Sequence, residues 1–227
     1  MVISMTNIMQ TQLKFKIITI TAMPQIEVEK MLNVLLLRKK KGYSQYELSF
    51  LMGQRDYYVR DAEDPNHKLS YAVYFSNIFR EIFNCTIKDI VPNINITHNY
   101  TIQISLTTDE SGNSIYRAEK QFENGSLELI DIFGSEPKDL LLESFSTIAE
   151  QSVKDWAILK FANGYFKDAK DALQVLKDCE KELESAVRPL FLANALKACN
   201  GTKGTPKLIS AKDGNGRFVY GERAYGY

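Results

Sequence analysis

The sequence predicts a fold that is mainly α with a smaller β part, and three observations support this. Apolar residues recur at helical spacing over residues 25–92, alternate with polar residues at strand spacing over 100–133, and return to helical spacing over 137–199. An Asn-rich polar stretch at 93–99 separates the first two patterns and is typical of a linker. We therefore expect a helical domain followed by an α+β domain that extends over 100–227.

The charge of the chain is balanced overall but uneven along its length. Its 227 residues carry 28 basic and 28 acidic side chains, so net charge alone predicts no nucleic-acid partner. Residues 93–137 hold two basic and seven acidic residues, whereas residues 188–227 hold seven basic and two acidic ones. Because local fields steer a polyanion, the basic C-terminal segment indicates nucleic-acid contact more than the overall balance does.

The first 24 residues differ in character from the rest of the chain. Residues 15–21 are typical of a short strand, and Lys14, Lys16 and the threonines of this segment are not expected in a secretory leader. We expect residues 1–24 to be a disordered arm or an over-extended gene start. Cys85, Cys179 and Cys199 lack paired ligand spacing, which predicts free thiols in a reducing cytoplasm. No stretch has the apolar length of a membrane span, so we expect a cytoplasmic protein without membrane contact.

Five short helices are predicted in the first domain. Their expected bounds are 25–40, 45–52, 55–63, 69–83 and 87–91. Ser44 and Glu47 have the spacing of a capping box at the start of the second helix, and Gly53 stands where that helix must turn. The turn is too short for anything but a tightly angled helix pair, an arrangement that places one helix in the DNA major groove.

These residues resemble the Cro/C1-type (XRE-like) helix-turn-helix regulators over about residues 27–92. The resemblance is carried by Leu37-Arg38, Lys41-Gly42-Tyr43-Ser44-Gln45, Glu47-Leu48-Ser49, Met52-Gly53, Val59 and Glu63. The run Arg-Asp-Tyr-Tyr-Val-Arg-Asp from Arg55 also looks like a subgroup found in Bacteroidetes-type bacteria. The resemblance implies a lambda-repressor-like domain of five helices and a sequence-specific transcriptional regulator that binds double-stranded DNA.

The resemblance also implies which side chains of this domain face DNA. The glutamine that matches Gln45 contacts phosphate and braces the third helix, while residues early in that helix contact bases. Carried over by position, the DNA-facing residues of the third helix are Arg55, Asp56, Tyr57 and Arg60. Arginine suits this role because it forms a two-pronged hydrogen bond to guanine. Such domains often bind paired half-sites, which is compatible with a homodimer, although the sequence shows no dimer seam.

Two features depart from the family pattern and keep an alternative open. Asp56, Asp61 and Asp64 lie near the expected DNA face, where carboxylates repel phosphate. Phe50 and Leu51 are apolar where the family is polar, which we attribute to packing within this protein in preference to a dimer contact. The alternative function is a protein–protein interaction module whose helix-turn-helix no longer binds DNA.

The second domain begins with a predicted β-meander at 100–133. The first strand contains Ile102, Ile104 and Leu106, and a return strand covers 115–122. The Asn124-Gly125 pair marks a hairpin turn, and a third strand begins at Leu127. The acidic character of this meander would repel DNA, so we expect it to be structural or to bind a partner.

The end of the chain has the element order of a winged helix. Helical patterns at 138–164, 168–183 and 189–198 precede a predicted hairpin at 206–223, with strands at 207–211 and 217–220. In that fold the third helix enters a groove and the hairpin contacts the DNA backbone. The expected contacts would come from Arg188, Asn194, Lys197, Lys203, Lys207, Lys212 and Arg217. A helical bundle with a solvated hairpin remains the alternative.

The sequence shows no pattern that predicts an enzyme. His67 and His98 are isolated, no cysteine or glutamate joins them at metal-ligand spacing, and no glycine-rich phosphate loop follows a strand. Gly214-Asn215-Gly216 is typical of a turn. We therefore expect no catalytic residues, no metal and no cofactor. The sequence indicates no known small-molecule ligand and leaves an inducer open.

Overall fold

A computed structural model describes residues 16–18, 24–67, 69–91, 100–108, 110, 112–134, 146–200 and 208–222. This part of the chain is α+β, with helices and two small antiparallel sheets, as the coarse sequence pattern predicts. The predicted linker at 93–99, most of the predicted arm and residues 138–145 of the predicted long helix lie outside the described residues.

The helices of the first part follow the predicted order with two changes of boundary. Their bounds are α1 Gln25–Lys41, α2 Gln45–Leu51, α3 Tyr58–Glu63 and α4 Phe75–Phe83, followed by a 3₁₀ turn at Ile87–Asp89. Residues 55–57 lie in the turn before α3, and α4 begins six residues later than predicted. Ahead of α4, the buried Lys30 ammonium donates hydrogen bonds to the carbonyl oxygens of Tyr71 and Ala72 at 3.0 and 3.1 Å. Those carbonyls are held by Lys30 outside any helix.

The predicted meander is present and gains a fourth strand. The bounds are β1 Lys16–Ile18, β2 Tyr100–Thr108, β3 Ser114–Phe122 and β4 Leu127–Gly134, in the spatial order β1-β2-β3-β4. Neighbouring strands are antiparallel, and Ile17 pairs with Ser105. The segment predicted as a short strand near the N-terminus therefore forms an edge of this sheet.

The C-terminal part contains three helices and a second sheet. The bounds are α5 Glu150–Ala162, β5 Lys170–Asp171, α6 Ala172–Leu183, α7 Pro189–Ala198, β6 Ile209–Lys212 and β7 Phe218–Gly221, and the sheet order is β5-β7-β6. The short strand β5 was not predicted. It shortens the predicted helix at 168–183, because Asp171 caps α6 by accepting a hydrogen bond from the Gln174 N–H at 2.9 Å. The predicted helix at 138–164 is also too long, since Ser146 and Ile148 form a local turn before α5.

The helical first part and the C-terminal part pack directly on each other. Helix α2 contacts both α6 and α7, and the buried apolar side chains of both parts belong to one continuous core. Burial of this apolar surface is the main stabilising contribution to such a core. Among the described helices, none combines the length and the apolar character needed to cross a membrane.

Candidate nucleic-acid interface

The predicted capping box positions helix α2. The backbone N–H and the hydroxyl of Ser44 both donate to Glu47 Oε2 at 2.8 Å, and the Glu47 N–H donates to Ser44 Oγ at 3.2 Å. After α2 the chain turns at Gly53, which has a φ of 67°. The Val59 N–H then donates to Ser49 Oγ at 3.0 Å, which ties the start of α3 to α2. The capping box therefore fixes the start of α2, and the bond from Val59 joins α2 to α3.

A buried ion pair braces the far end of α3. Arg38 donates to the two carboxylate oxygens of Glu63 at 2.8 and 2.6 Å, and to the Tyr43 carbonyl at 2.8 Å. Gln45 Nε2 also donates to Glu63 Oε2, at 2.9 Å. Gln45, which the family resemblance assigns to a phosphate contact, is thus oriented by Glu63 at the C-terminal end of α3. It lies half buried beside the exposed surface.

The exposed surface of α3 and its preceding turn is formed by Arg55, Asp56, Tyr57 and Arg60. The two arginine side chains are 56% and 52% exposed, and Tyr57 is 58% exposed. The Arg60 guanidinium lies over the Tyr57 ring, 4.4 Å from its centroid. We call these four residues the α3 face.

One buried carboxylate holds both arginines of the α3 face. Asp61 accepts from Arg55 Nη2 at 2.6 Å and from Arg60 Nη2 at 2.8 Å, while its own side chain is only 7% exposed. Burial would raise the pKa of Asp61, but the hydrogen bonds from Arg60 and Arg55 outweigh that effect and lower it. The guanidinium groups are therefore oriented before any ligand arrives.

The acidic residues near the α3 face do not all point to solvent. Asp61 is buried beneath the arginines, and Asp64 accepts from the Tyr116 hydroxyl of β3 at 3.1 Å and from Asn66 Nδ2 at 2.8 Å. Only Asp56 of the three predicted acids is exposed. The repulsion of phosphate that these acids would cause is correspondingly smaller than the sequence suggests.

The apolar residues of α2 are explained by packing within the chain. Phe50 and Leu51 are both buried, and the Phe50 ring lies 6.1 Å from that of Tyr220 on β7. The structure confirms the preference for internal packing over a dimer contact at these two positions.

Helix α7, which was expected to enter a second groove, packs against α2. Glu47 is fully buried between the two helices, and its Oε1 accepts from Arg188 Nε at 3.0 Å and from the Leu190 N–H at 3.2 Å. Lys197 donates to the Tyr46 hydroxyl at 3.0 Å, and Asn194 donates to Glu150 at 2.8 Å. The buried side of α7 therefore faces α2 and α5, while Asn194 and Lys197 stay exposed. Of the contacts predicted on this helix, Arg188 is held in an internal ion pair.

The β6–β7 hairpin also contacts the first part of the chain. Arg217 donates to the Met52 carbonyl at 3.1 Å and lies 3.4 Å from Asp171, while the Phe218 N–H donates to the Gly53 carbonyl at 2.7 Å. Arg217 was predicted to contact DNA, but the structure places it in this internal contact. Lys212 is exposed, with its ammonium 5.7 Å from the Phe218 ring. Lys203 and Lys207 lie outside the described residues.

The links between α2 and the C-terminal part were missed by sequence reasoning. Glu47 and Arg188 are 141 positions apart, and Met52 and Arg217 are 165 apart. No local pattern predicts such a pair. A buried charged side chain such as that of Glu47, at the third position of a helix, is nevertheless unusual without a partner of opposite charge.

Comparison with known proteins gave no match: no family model, no curated protein and no solved structure is similar to this chain at a significant level. Among the described residues, no group of three or more histidine, cysteine, aspartate or glutamate side chains could hold a metal ion.

Proposed function

We propose that this chain is a sequence-specific DNA-binding transcriptional regulator that places the α3 face in the major groove. The observation that carries the proposal is the pair of half-exposed arginines, Arg55 and Arg60, that the buried Asp61 holds in place. Orientation of an arginine before binding favours two-pronged contact with guanine, because less side-chain freedom is lost on binding.

The first helices would then form the five-helix, lambda-repressor-like domain that the family resemblance implies. The C-terminal part has winged-helix-like order: three helices, a short strand before the second helix, and a hairpin that pairs with that strand. Since α7 packs against α2 and the hairpin contacts the turn after α2, we assign this part to bracing the α2–α3 pair. Lys212 on the hairpin is positioned to add a phosphate contact, and a homodimer would allow paired half-sites.

The proposal is tested by selecting DNA with the purified chain. Fragmented genomic DNA from the source organism is incubated with the protein, and the bound pool is sequenced. We expect an enriched motif, and an affinity for it that falls by orders of magnitude between roughly 50 and 200 mM salt if several phosphates are contacted. No enrichment at moderate salt would contradict the proposal.

Two substitutions at Arg60 separate base contact from charge. Arg60→Lys keeps a positive charge beside Asp61 but removes the guanidinium group that forms two hydrogen bonds to guanine. We therefore expect a loss of about 1–3 kcal/mol of discrimination at one base pair. Arg60→Ala should relax the preference at the same base pair. Arg80→Ala is the matched control, because Arg80 is an exposed arginine on α4 that lies outside the α3 face. Equal sequence preference in all four proteins would remove Arg60 as a base contact.

A protein–protein interaction module is the second candidate, and one observation favours it. Val73 is 86% exposed and Tyr74 is half exposed, just before α4 in the same domain as the α3 face. Exposed apolar side chains of this kind are typical of a partner site. If this candidate holds, Val73→Ser with Tyr74→Ser would abolish partner binding while DNA selection by the unchanged protein yields no motif.

A further inference from the structure

A cavity of about 190 Å³ lies between the α2–α3 pair and the C-terminal part. Its walls come from α2, the turn that follows it, α7 and the β6–β7 hairpin. It is lined by Tyr46, Phe50, Gln54, Asp56, Ala193, Lys197, Ser210, Phe218 and Tyr220. A cavity of about 150 Å³ is large enough to hold benzene, so this one has room for a single six-membered ring.

The inner walls of the cavity are aromatic. Phe50 of α2 and Tyr220 of β7 approach with ring centroids 6.1 Å apart, and Phe218 lines the same space. Flat rings prefer offset or edge-to-face contact with other rings at such distances. Burial and, to a smaller extent, the nearby Tyr46 and Asp56 raise the pKa of Tyr220, so its hydroxyl stays protonated and able to donate.

The mouth of the cavity carries one charge of each sign. Lys197 of α7 and Asp56 of the α2–α3 turn are both exposed, and they contribute to the cavity lining from opposite parts of the chain. The hydrogen bond to Tyr46, and to a lesser degree the field of Asp56, raise the pKa of Lys197, so its ammonium is charged at neutral pH. A ligand that suits this mouth has a carboxylate and an ammonium close together.

We propose that this cavity binds an aromatic α-amino acid. Its ring would lie among Phe50, Phe218 and Tyr220, its carboxylate would pair with Lys197, and its ammonium would pair with Asp56. The ligand class follows from the combination of an apolar space for one ring with two opposite charges at its mouth.

The cavity shares Asp56 with the α3 face, so a ligand bound there lies next to that face. Asp56 belongs to that face, next to Arg55 and Tyr57, so a ligand that engages its carboxylate changes the charge beside both. This regulatory step rests on the proposed DNA-binding function, whereas amino-acid binding itself does not.

The binding claim is tested by isothermal titration of the full chain with L-phenylalanine and with L-tyrosine. We expect saturable binding of at least one of them. Ser210→Phe should abolish it by filling the cavity from an exposed strand position, and Lys197→Met should weaken it by about tenfold, the value of one charge-assisted hydrogen bond. Lys177→Met is the control, because Lys177 is an exposed lysine on α6 that does not line the cavity.

Two analogues test the role of each charge. 3-Phenylpropionate lacks the ammonium and 2-phenylethylamine lacks the carboxylate, so both should bind more weakly than L-phenylalanine. Absence of saturable binding by both amino acids, or equal binding by the Ser210→Phe variant, would overturn the proposal. Equal binding of an analogue would overturn the pairing assigned to the charge that it lacks.

Regulation is tested by repeating DNA binding with and without the amino acid that binds. A change in affinity that disappears in Ser210→Phe would support coupling, and an unchanged affinity would overturn it. If the amino acid binds but no DNA motif is selected, the site stands and the proposed function fails. If DNA is selected but neither amino acid binds, the proposed function stands and the site fails.

Discussion

The α2–α3 pair and the α6–α7 pair have similar local form but differ in how far their arginines are exposed. In each pair a capped helix is followed by a turn and a second helix. The second helix of the first pair, with the turn before it, presents a half-exposed arginine face. The second helix of the other pair packs against α2 and α5 and leaves Asn194, Lys197 and Ala198 exposed.

The arginines of the two regions show how the difference arises. Asp61 pairs with Arg55 and Arg60 and leaves both more than half exposed, while Glu47 pairs with Arg188 and leaves it 14% exposed. The same chemistry thus orients a cation towards solvent in one region and joins two parts of the chain in the other.

Removal of Arg38 should have the largest effect on stability. Arg38→Met leaves the Glu63 carboxylate buried with only Gln45 as a described side-chain partner, and an uncompensated buried charge costs about 3–5 kcal/mol. Urea denaturation measures the free energy of unfolding, and Arg80→Met at an exposed position should change it little. A loss below about 1 kcal/mol, the range of exposed ion pairs, would show that the brace of α3 lies elsewhere.

Neutralisation of Glu47 should loosen the contact between α2 and α7. Glu47→Gln removes the negative charge of the carboxylate that accepts hydrogen bonds from Arg188 and Leu190. We expect a loss of about 2 kcal/mol in the free energy of unfolding. Glu81→Gln is the matched control, because Glu81 of α4 pairs with Lys177 of α6 between the same two parts at exposed positions. Equal losses in the two variants would contradict the role given to Glu47.

A methyl group at Gly53 should disturb the contact of the turn with the hairpin. Gly53 has a φ of 67°, and a Cβ there would approach the Phe218 carbonyl at 3.0 Å and Arg217 Cβ at 3.1 Å. Gly216 has a similar φ of 74° but open space around it. Both alanine variants carry the left-handed strain, so Gly53→Ala should lose about 1 kcal/mol more than Gly216→Ala. Equal melting temperatures of the two variants would show that the hairpin moves away from the added methyl group without loss of stability.

The pairing of Asp61 should produce a small acid dependence of stability. Its folded pKa is lowered, so its contribution is present above the ordinary value of 3.8 and is lost as the pH falls through the lower folded value. The difference in unfolding free energy between the protein and Asp61→Asn should therefore shrink as the pH falls below that ordinary value. A difference that stays constant through this range would contradict the pairing with Arg55 and Arg60.

Local structure was predictable where neighbouring residues determine it. The capping box of Ser44 and Glu47, the turn at Gly53 and the hairpin turn at Asn124-Gly125 follow from side-chain chemistry within a few positions, and they occur as predicted. The contact of Lys30 with the segment before α4 has no such local signal, because the two lie some forty positions apart. The low exposure of Arg188 at the start of α7 likewise depends on a contact between distant segments.

Photocrosslinking to DNA shows which of the two helix pairs lies against the DNA. p-Benzoylphenylalanine is placed at Tyr57 or at Asn194, one exposed position on each side of the comparison, and each protein is irradiated with the selected DNA. We predict crosslinks from position 57 and none above background from position 194. Crosslinks from position 194 that equal or exceed those from position 57 would contradict the account, because α7 and not α3 would then contact the DNA.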